Sequence, residues 1–181
     1  NGQPVRYVFG PEGRNSFTIR RSVNGGPFTS LLGSVRLNAG GPLLSEIDGT
    51  LWAEDAHFVG GAPFTQNYTY GFSNTTLNDT GRGDPTGFTY AVPLANGVYD
   101  VTLRAATATA VTQSVAVNGG AAQSWSVAAG LNAAEKQLAL PRVSVDTGLL
   151  STAITKTSAA GSAVLTAFEA VPVETTFTAL R

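Results

Sequence analysis

The sequence predicts an all-β protein, an antiparallel jelly-roll β-sandwich. Three observations support this prediction. Apolar and polar residues alternate with a period of two in many short segments, as they do in strands with one buried face. Asn-Gly and Gly-Gly pairs, which are typical of turns, separate these segments. Apolar residues at helical spacing are scarce, so stacked sheets rather than helices must form the core.

Strands are predicted along most of the chain. Residues 88–92 and 98–103 alternate most clearly, and Asn96-Gly97 between them favours the positive φ angles of a tight reversal. This pattern predicts an antiparallel hairpin. Further strands follow from the same alternation and from their flanking turn residues, at 112–117, 123–127, 136–145, 151–157 and 163–173.

The beginning of the chain differs from the rest. Residues 4–9 and 16–23 are predicted to be short strands joined by a Gly- and Pro-containing turn, which gives a long hairpin. The predicted organisation has three parts: residues 1–33 as an N-terminal hairpin or a remnant of a preceding region, residues 34–173 as the sandwich, and residues 174–181 as a linker or the start of a next module.

Both ends of the chain are compatible with a larger parent protein. The chain starts at Asn1 without a signal-like apolar run, so we expect it to be one module of that protein. Residues 176–181 loosely resemble residues 29–36, which fits a tandem array, and chance similarity between Thr- and Leu-rich segments explains it equally well.

Composition excludes several classes of protein. Eleven basic and twelve acidic residues leave no charge excess for a nucleic-acid backbone, and no apolar run is long enough for membrane insertion. Without cysteine the chain can form no disulfide, zinc–thiolate site or thiol nucleophile. The low charge and the abundance of Gly, Ala, Thr and Ser suggest a secreted or cell-surface protein of bacterial type.

Several sequence blocks occur in the order found in one known family. They include an Asn-Ala-Gly-Gly strand, an acidic turn leading to Trp52, a segment that ends in Gly-Gly, a Tyr-x-hydrophobic-Pro strand, a Gly-x-Tyr-x-Val-x-Leu strand and a closing strand with a central glutamate. They lie at residues 35–42, 48–55, 58–61, 88–94, 97–103 and 165–172. Over residues 34–173 the chain resembles malectin-type carbohydrate-binding domains.

The resemblance implies a galactose-binding-like sandwich and a non-catalytic lectin function toward a glucan or another plant or microbial oligosaccharide. Members of this family hold the sugar with loop aromatics and a late acidic residue. Here Asn78 and Gly83 stand where the family carries tyrosines, and the late acid falls near Ala159 and Ala160. Because the family's aromatic clamp is missing, a structural or protein-binding adhesin module is the alternative.

Because the family's aromatic clamp is missing, the remaining sugar-binding hypothesis is that a sugar binds through other residues of this chain. Sugar rings lie against aromatic faces while their hydroxyls bond to amides, carboxylates and guanidinium groups. The predicted ligand-binding residues combine both types: Phe64, Tyr68, Tyr70, Asn78, Arg82, Asp84 and Trp125. Alternating aromatic residues are also typical of a strand that packs on the core, so the same rings have a structural interpretation.

Catalysis is not expected from this sequence. His57 is the only histidine, and no nucleophile motif accompanies it. Glu54 and Asp55 are adjacent, so on a strand they would point to opposite faces and could not flank one bond. No cofactor is required by the expected function, and a structural calcium ion is compatible with a sandwich of this type. The expected partners are therefore a carbohydrate and neighbouring domains.

Overall fold

The computed structural model describes residues 6–11, 17–22, 29–31, 33–46, 48–66, 76–130 and 135–173. These described residues form seventeen strands: β1 (Arg6–Pro11), β2 (Phe17–Ser22), β3 (Thr29–Leu31), β4 (Val35–Asn38), β5 (Leu44–Ser45), β6 (Leu51–Trp52), β7 (Phe58–Val59), β8 (Ala62–Thr65), β9 (Thr80–Asp84), β10 (Gly87–Pro93), β11 (Gly97–Ala105), β12 (Val111–Val117), β13 (Gln123–Val127), β14 (Lys136–Val145), β15 (Leu149–Lys156), β16 (Ala163–Leu165) and β17 (Ala167–Pro172). A 3-10 turn spans Thr76–Asn78.

Two antiparallel sheets form a β-sandwich, which confirms the predicted fold class. The first sheet has the order β13-β12-β15-β10-β7 and the second the order β14-β11-β17-β4. Smaller sheets, β16-β9-β8 and β5-β6, complete the part of the chain from residue 33 onward that the structure describes. Because inward residues alternate with outward ones, each main sheet gives one apolar face to the core.

The core lies between the two main sheets. Tyr90 of β10 stacks on Phe168 of β17, with ring centroids 6.0 Å apart and an interplanar angle of 16°. Both side chains are fully buried, as are Tyr99 and Leu103 of β11. Trp52, which the resemblance places in the sheet, is also buried and packs in a smaller cluster with Leu77. These aromatic contacts connect the first sheet to the second.

The predicted hairpin between residues 88–92 and 98–103 is wrong. Strand β10 pairs with β15 and β7, whereas β11 pairs with β14 and β17, so the two strands belong to opposite sheets. Neither Asn96 nor Gly97 has a positive φ angle. The chain therefore crosses from the first sheet to the second between β10 and β11 instead of reversing within one sheet.

Most other strand predictions are confirmed. Strand β14 has the predicted bounds, and β12 and β13 form an antiparallel pair. Their reversal uses Asn118 and Gly119, which have φ angles of 49° and 71°. The predicted strand 163–173 divides at Thr166, because β16 pairs with β9 while β17 pairs with β11 and β4.

The N-terminal segment contains a separate three-stranded sheet. Strands β1 and β2 pair antiparallel, as expected for the predicted hairpin, and β3 adds to β2. The division of the chain after residues 33 and 173 stays a prediction. Among the described residues, no helix is long and apolar enough to cross a membrane.

Candidate functional site

The Asn-Ala-Gly-Gly motif forms a turn that positions β9. Asn38 is buried; its Nδ2 donates to the Pro42 carbonyl at 2.9 Å, and its Oδ1 accepts from the Thr80 hydroxyl at 3.0 Å. Gly40 has a φ angle of 67° and lies directly against the backbone of Gly81. The motif thus has a structural role, since it fixes the strand that carries Arg82.

Arg82 lies inside the protein and its donors are used there. Its Nε and Nη2 donate to Oδ2 of Asp55 at 2.9 and 2.7 Å. Its Nη1 donates to the carbonyls of Gly60 and Gly61. The guanidinium carbon lies 3.2 Å from the ring centroid of Phe58, which adds a cation–π contact. This arrangement holds the segment between β6 and β8 against β9.

Asp84 has a local structural role at the end of β9. One carboxylate oxygen accepts hydrogen bonds from the backbone amides of Gly87 and Thr86 and from the Thr86 hydroxyl. These bonds, led by that from Gly87, lower the pKa of Asp84 to about 2. The charged carboxylate therefore stabilises the turn into β10.

A polar cluster lies where β11 and β14 meet at one end of the sandwich. We call it the Arg104 cluster; it comprises Gln66, Asn78, Arg104, Glu135, Gln137 and Thr166. One member, Gln66, joins two loops that are distant in sequence. Its Nε2 donates to the carbonyls of both Asn78 and Ala106, at 2.8 and 3.0 Å.

Asn78 and Glu135 form the centre of the Arg104 cluster. Asn78 donates from Nδ2 to Oε2 of Glu135 at 2.7 Å, and its Oδ1 accepts from the Thr166 hydroxyl at 2.9 Å. The other oxygen of Glu135 accepts from Gln137 at 2.9 Å. Amide and carboxylate groups from four segments are therefore held in a connected network.

Arg104 is the least satisfied member of this cluster. Its Nη1 lies 3.7 Å from Oε1 of Glu135, a loose ion pair in which both side chains are 26% exposed. Its Nε is buried without a hydrogen-bond partner among the described residues. The guanidinium carbon lies 5.3 Å from the ring of Trp52, whose other contacts include Leu77. The polar groups thus rest on an apolar base.

The predicted ligand residues do not form one site. Asn78 belongs to the Arg104 cluster. Phe64 is partly buried, packs on the core and lies against Gly81, close to Arg82. Trp125 lies on the edge strand β13 of the first sheet and is 5% exposed, and its Nε1 has no partner among the described residues. Tyr68 and Tyr70 lie outside the described residues. Ligand binding by these residues stays a prediction.

Sequence reasoning missed most of the Arg104 cluster. Arg104 directly follows the predicted strand 98–103, and this position at a strand end was its only signal in the sequence. Glu135 carried no such signal because it joins the cluster from 31 residues away along the chain. Among the described residues no group of three or more His, Asp or Glu side chains is placed to hold a metal ion, so no calcium site is derived.

Comparisons with known proteins support the fold. Protein-family profiles and curated proteins gave no match. Among solved structures, the chain is similar to a β-glucuronidase of Bacteroides uniformis, with a TM-score of 0.62 and 15% identity over 91% of this chain and 23% of that chain. The ANX1 ectodomain of Arabidopsis thaliana gives a TM-score of 0.63 and 16% identity over 80% and 50% of the two chains.

A third similar structure is a plant complex of the peptide RALF23 with FER and LLG2. Its TM-score is 0.59, with 19% identity over 78% of this chain and 40% of that chain. The plant neighbours are malectin-like ectodomains of receptor kinases. The chain has a malectin-like fold. It spans half the length or less of each structure that it matches here.

Proposed function

We propose that this malectin-like domain is a non-catalytic carbohydrate-binding module, and that the Arg104 cluster is its sugar site. The observation that carries the proposal is the state of Arg104: its Nη1 is 3.7 Å from Oε1 of Glu135, and its Nε has no partner among the described residues. Because both side chains are partly exposed and pair only loosely, a ligand could bond to the Arg104 Nη groups and to the Glu135 carboxylate. The unpaired Nε shows that the fold does not fully satisfy this guanidinium, whereas buried polar atoms are normally hydrogen-bonded.

The chemistry of the cluster suits sugar hydroxyls. Each hydroxyl can donate to a carboxylate or amide oxygen while it accepts from an amide or guanidinium N–H. Glu135 and Asn78 supply acceptors, while Arg104 and Gln137 supply donors; both amide hydrogens of Gln66 are already used within the protein. Because charged groups make the stronger hydrogen bonds, the Arg104–Glu135 pair should contribute most to affinity.

The location of the cluster also supports the proposal. Gln66 connects the segment near residue 78, where the resemblance places family tyrosines, to the segment near residue 106. Tyr68 and Tyr70 follow Gln66 by two and four residues in the sequence. These two tyrosines are candidates for the aromatic ring on which the sugar would stack, since no described member of the cluster is aromatic.

A glycan array of α-glucans, β-glucans and galactans tests this function. We expect the wild-type domain to bind at least one neutral glycan, and Arg104→Lys to weaken that binding about tenfold because a lysine lacks the planar donors. Arg36→Lys is the matched control, since Arg36 pairs with Glu169 outside the cluster at 2.6 Å. Loss of binding in both variants, or in neither, would contradict the proposed site. Thermal melting verifies that each variant is folded.

Protein binding is the second candidate function. Leu43 and Leu51 lie on the same face of the β5-β6 ribbon and are 69% and 60% exposed. Exposed apolar residues side by side are typical of protein-interaction surfaces. The structure of FER with RALF23 and LLG2 shows that a protein with this fold can have protein partners. A folded domain that binds no glycan on the array would favour this function.

The cellular setting follows from either function. We propose that the domain works outside the cell, secreted or on the surface, as a part of a larger protein and without catalytic activity of its own. Weak binding by single modules would be multiplied in a parent chain with several copies, because linked sites raise the effective concentration of the ligand.

A further inference from the structure

A cleft separate from the Arg104 cluster opens between the two main sheets. Its volume is about 330 Å³, and it lies between the β12–β13 turn of the first sheet and the second half of β14 in the other. Gln137 and Arg142 are five residues apart on β14, so the cleft is roughly 15 Å from the Arg104 cluster along that strand. The cleft therefore shares no residue with the site proposed above.

The walls of the cleft are fixed by the fold. Asn118 donates from Nδ2 to the Ser144 carbonyl at 2.8 Å and accepts at Oδ1 from the Ser151 amide at 2.9 Å. These bonds tie the β12–β13 turn to β14 in the opposite sheet and to β15 in its own. A cavity held by cross-sheet bonds is present before any ligand arrives, as is typical of small-molecule sites.

A bulge in β14 places Arg142 beside the cleft. The register with β11 shifts between Tyr99 and Val101, and Arg142 adopts a φ angle of 55°, which is uncommon for a residue with a side chain. Its backbone amide donates to Oδ1 of Asp100 at 2.9 Å. An arginine is thus held in a left-handed conformation at the mouth of a cavity.

Three exposed polar side chains of the cleft, unlike that of Asn118, have no partners among the described residues. The Arg142 guanidinium makes no hydrogen bond or ion pair with the described residues, and neither the Gln123 amide nor the Ser144 hydroxyl makes a hydrogen bond with them. The remaining lining is mostly aliphatic and includes Val115 and Leu140. Arg142 is the one charged residue in the lining; the Asp100 carboxylate, which accepts from its backbone amide, does not line the cleft.

We propose that this cleft is a second binding site and that it takes an acidic sugar, a hexuronate residue of an oligosaccharide. The Arg142 guanidinium would pair with the carboxylate in a bidentate geometry. Gln123 and Ser144 would bond to ring hydroxyls, while the aliphatic wall covers the C–H face of the sugar. The proposal goes beyond the neutral-sugar function of the Arg104 cluster and uses none of its residues.

An NMR titration of the isotope-labelled domain tests the proposal. The probe is a galacturonic acid trimer, and the galactose trimer is its uncharged counterpart. We expect saturable shifts, with millimolar affinity, at the amides of Val117, Ala121, Gln123 and Ser144. Arg142→Gln should weaken this binding about fivefold or more, and Arg142→Lys should weaken it less. Raising the salt concentration should also weaken it, because the pair is open to solvent.

Lys136→Gln is the matched control, because Lys136 is an exposed cation on the same strand and does not line the cleft. An equal loss in this variant would show attraction to the general charge of the domain and would overturn the proposal. Equal shifts with the uncharged trimer, or no shifts at the cleft, would also overturn it. Because shifts at Asn78 and Ala106 report the Arg104 cluster separately, each site can fail without the other.

Discussion

The carboxylate of Asp55 and the guanidinium of Arg82 form a buried ion pair, with Oδ2 and Nη2 2.7 Å apart and side chains that are 8% and 4% exposed. The second oxygen of Asp55 accepts from the Tyr90 hydroxyl at 2.6 Å. One acidic side chain thus joins β9 and β10 to the segment before β7. Arg82, which was predicted from the sequence to contact a ligand, uses its donors within the fold instead.

Removing Asp55 should strongly destabilise the domain. Asp55→Ala leaves the Arg82 charge buried without its partner, and we expect a loss of about 3 kcal/mol or more in the free energy of unfolding. Glu169→Ala, which breaks the more exposed pair with Arg36, should cost about 1 kcal/mol or less. Urea unfolding of both variants measures the difference. Equal losses in the free energy of unfolding would show that the Asp55–Arg82 pair stabilises the fold no more than the Arg36–Glu169 pair does.

Gly40 should not tolerate a side chain. A Cβ at this position would overlap the Gly81 carbonyl, and its φ angle of 67° is already unfavourable for alanine. Gly40→Ala should therefore cost about 3 kcal/mol or more, because backbone must move as well. Gly119 is the matched position, with a φ of 71° and open space around it, so Gly119→Ala should cost only about 1 kcal/mol. Similar thermal shifts in both variants would refute the role of the Gly40–Gly81 contact.

Alkaline pH should destabilise the fold through its buried tyrosines. Burial, and for Tyr90 also the neighbouring Asp55 carboxylate, raises the pKa of Tyr90 and Tyr99 above the ordinary value of 10.0. Their stabilising contribution is complete below pH 10 and falls as the pH rises above it, because only the unfolded chain then ionises. Tyr99→Phe should make the urea midpoint fall less between pH 9 and 11. An unchanged slope would contradict this explanation.

Acid should act through Asp84. Because its pKa is lowered from 3.8 to about 2, its contribution to stability is complete above pH 4 and is lost as the pH falls toward 2. Asp84→Asn keeps an oxygen acceptor but cannot ionise. The melting temperature of wild type should therefore decline more than that of the variant between pH 4 and 2. If the melting temperatures of wild type and variant declined equally with pH, other carboxylates would be responsible for the acid sensitivity.

The strands were largely predictable from sequence, and their pairing was not. Alternation gave the bounds of β14, because the pattern depends only on which residues of one strand face the core. It failed for β10 and β11, which are adjacent in sequence but lie in opposite sheets. A two-residue period tells which face of a strand is buried, yet it carries no information about which neighbour covers that face.

The candidate site was less predictable for a related reason. Arg82 was predicted to bind ligand because a guanidinium group can bond to sugar hydroxyls; its pairing with Asp55, 27 residues away, could not be read from the sequence. Asn78 was identified through the family resemblance, whereas Glu135 lies 57 residues from it. Clusters that assemble from distant segments become visible only when the sheet topology is known.

An NMR titration with the neutral glycan selected by the array tests the central claim most directly. If the Arg104 cluster is the sugar site, saturable shifts should concentrate at the amides of Gln66, Asn78, Ala106 and Glu135, and Arg104→Lys should weaken binding about tenfold with an unchanged fold. Shifts confined to the β5-β6 ribbon or to Trp125, or no binding by a folded domain to any neutral glycan, would contradict the claim.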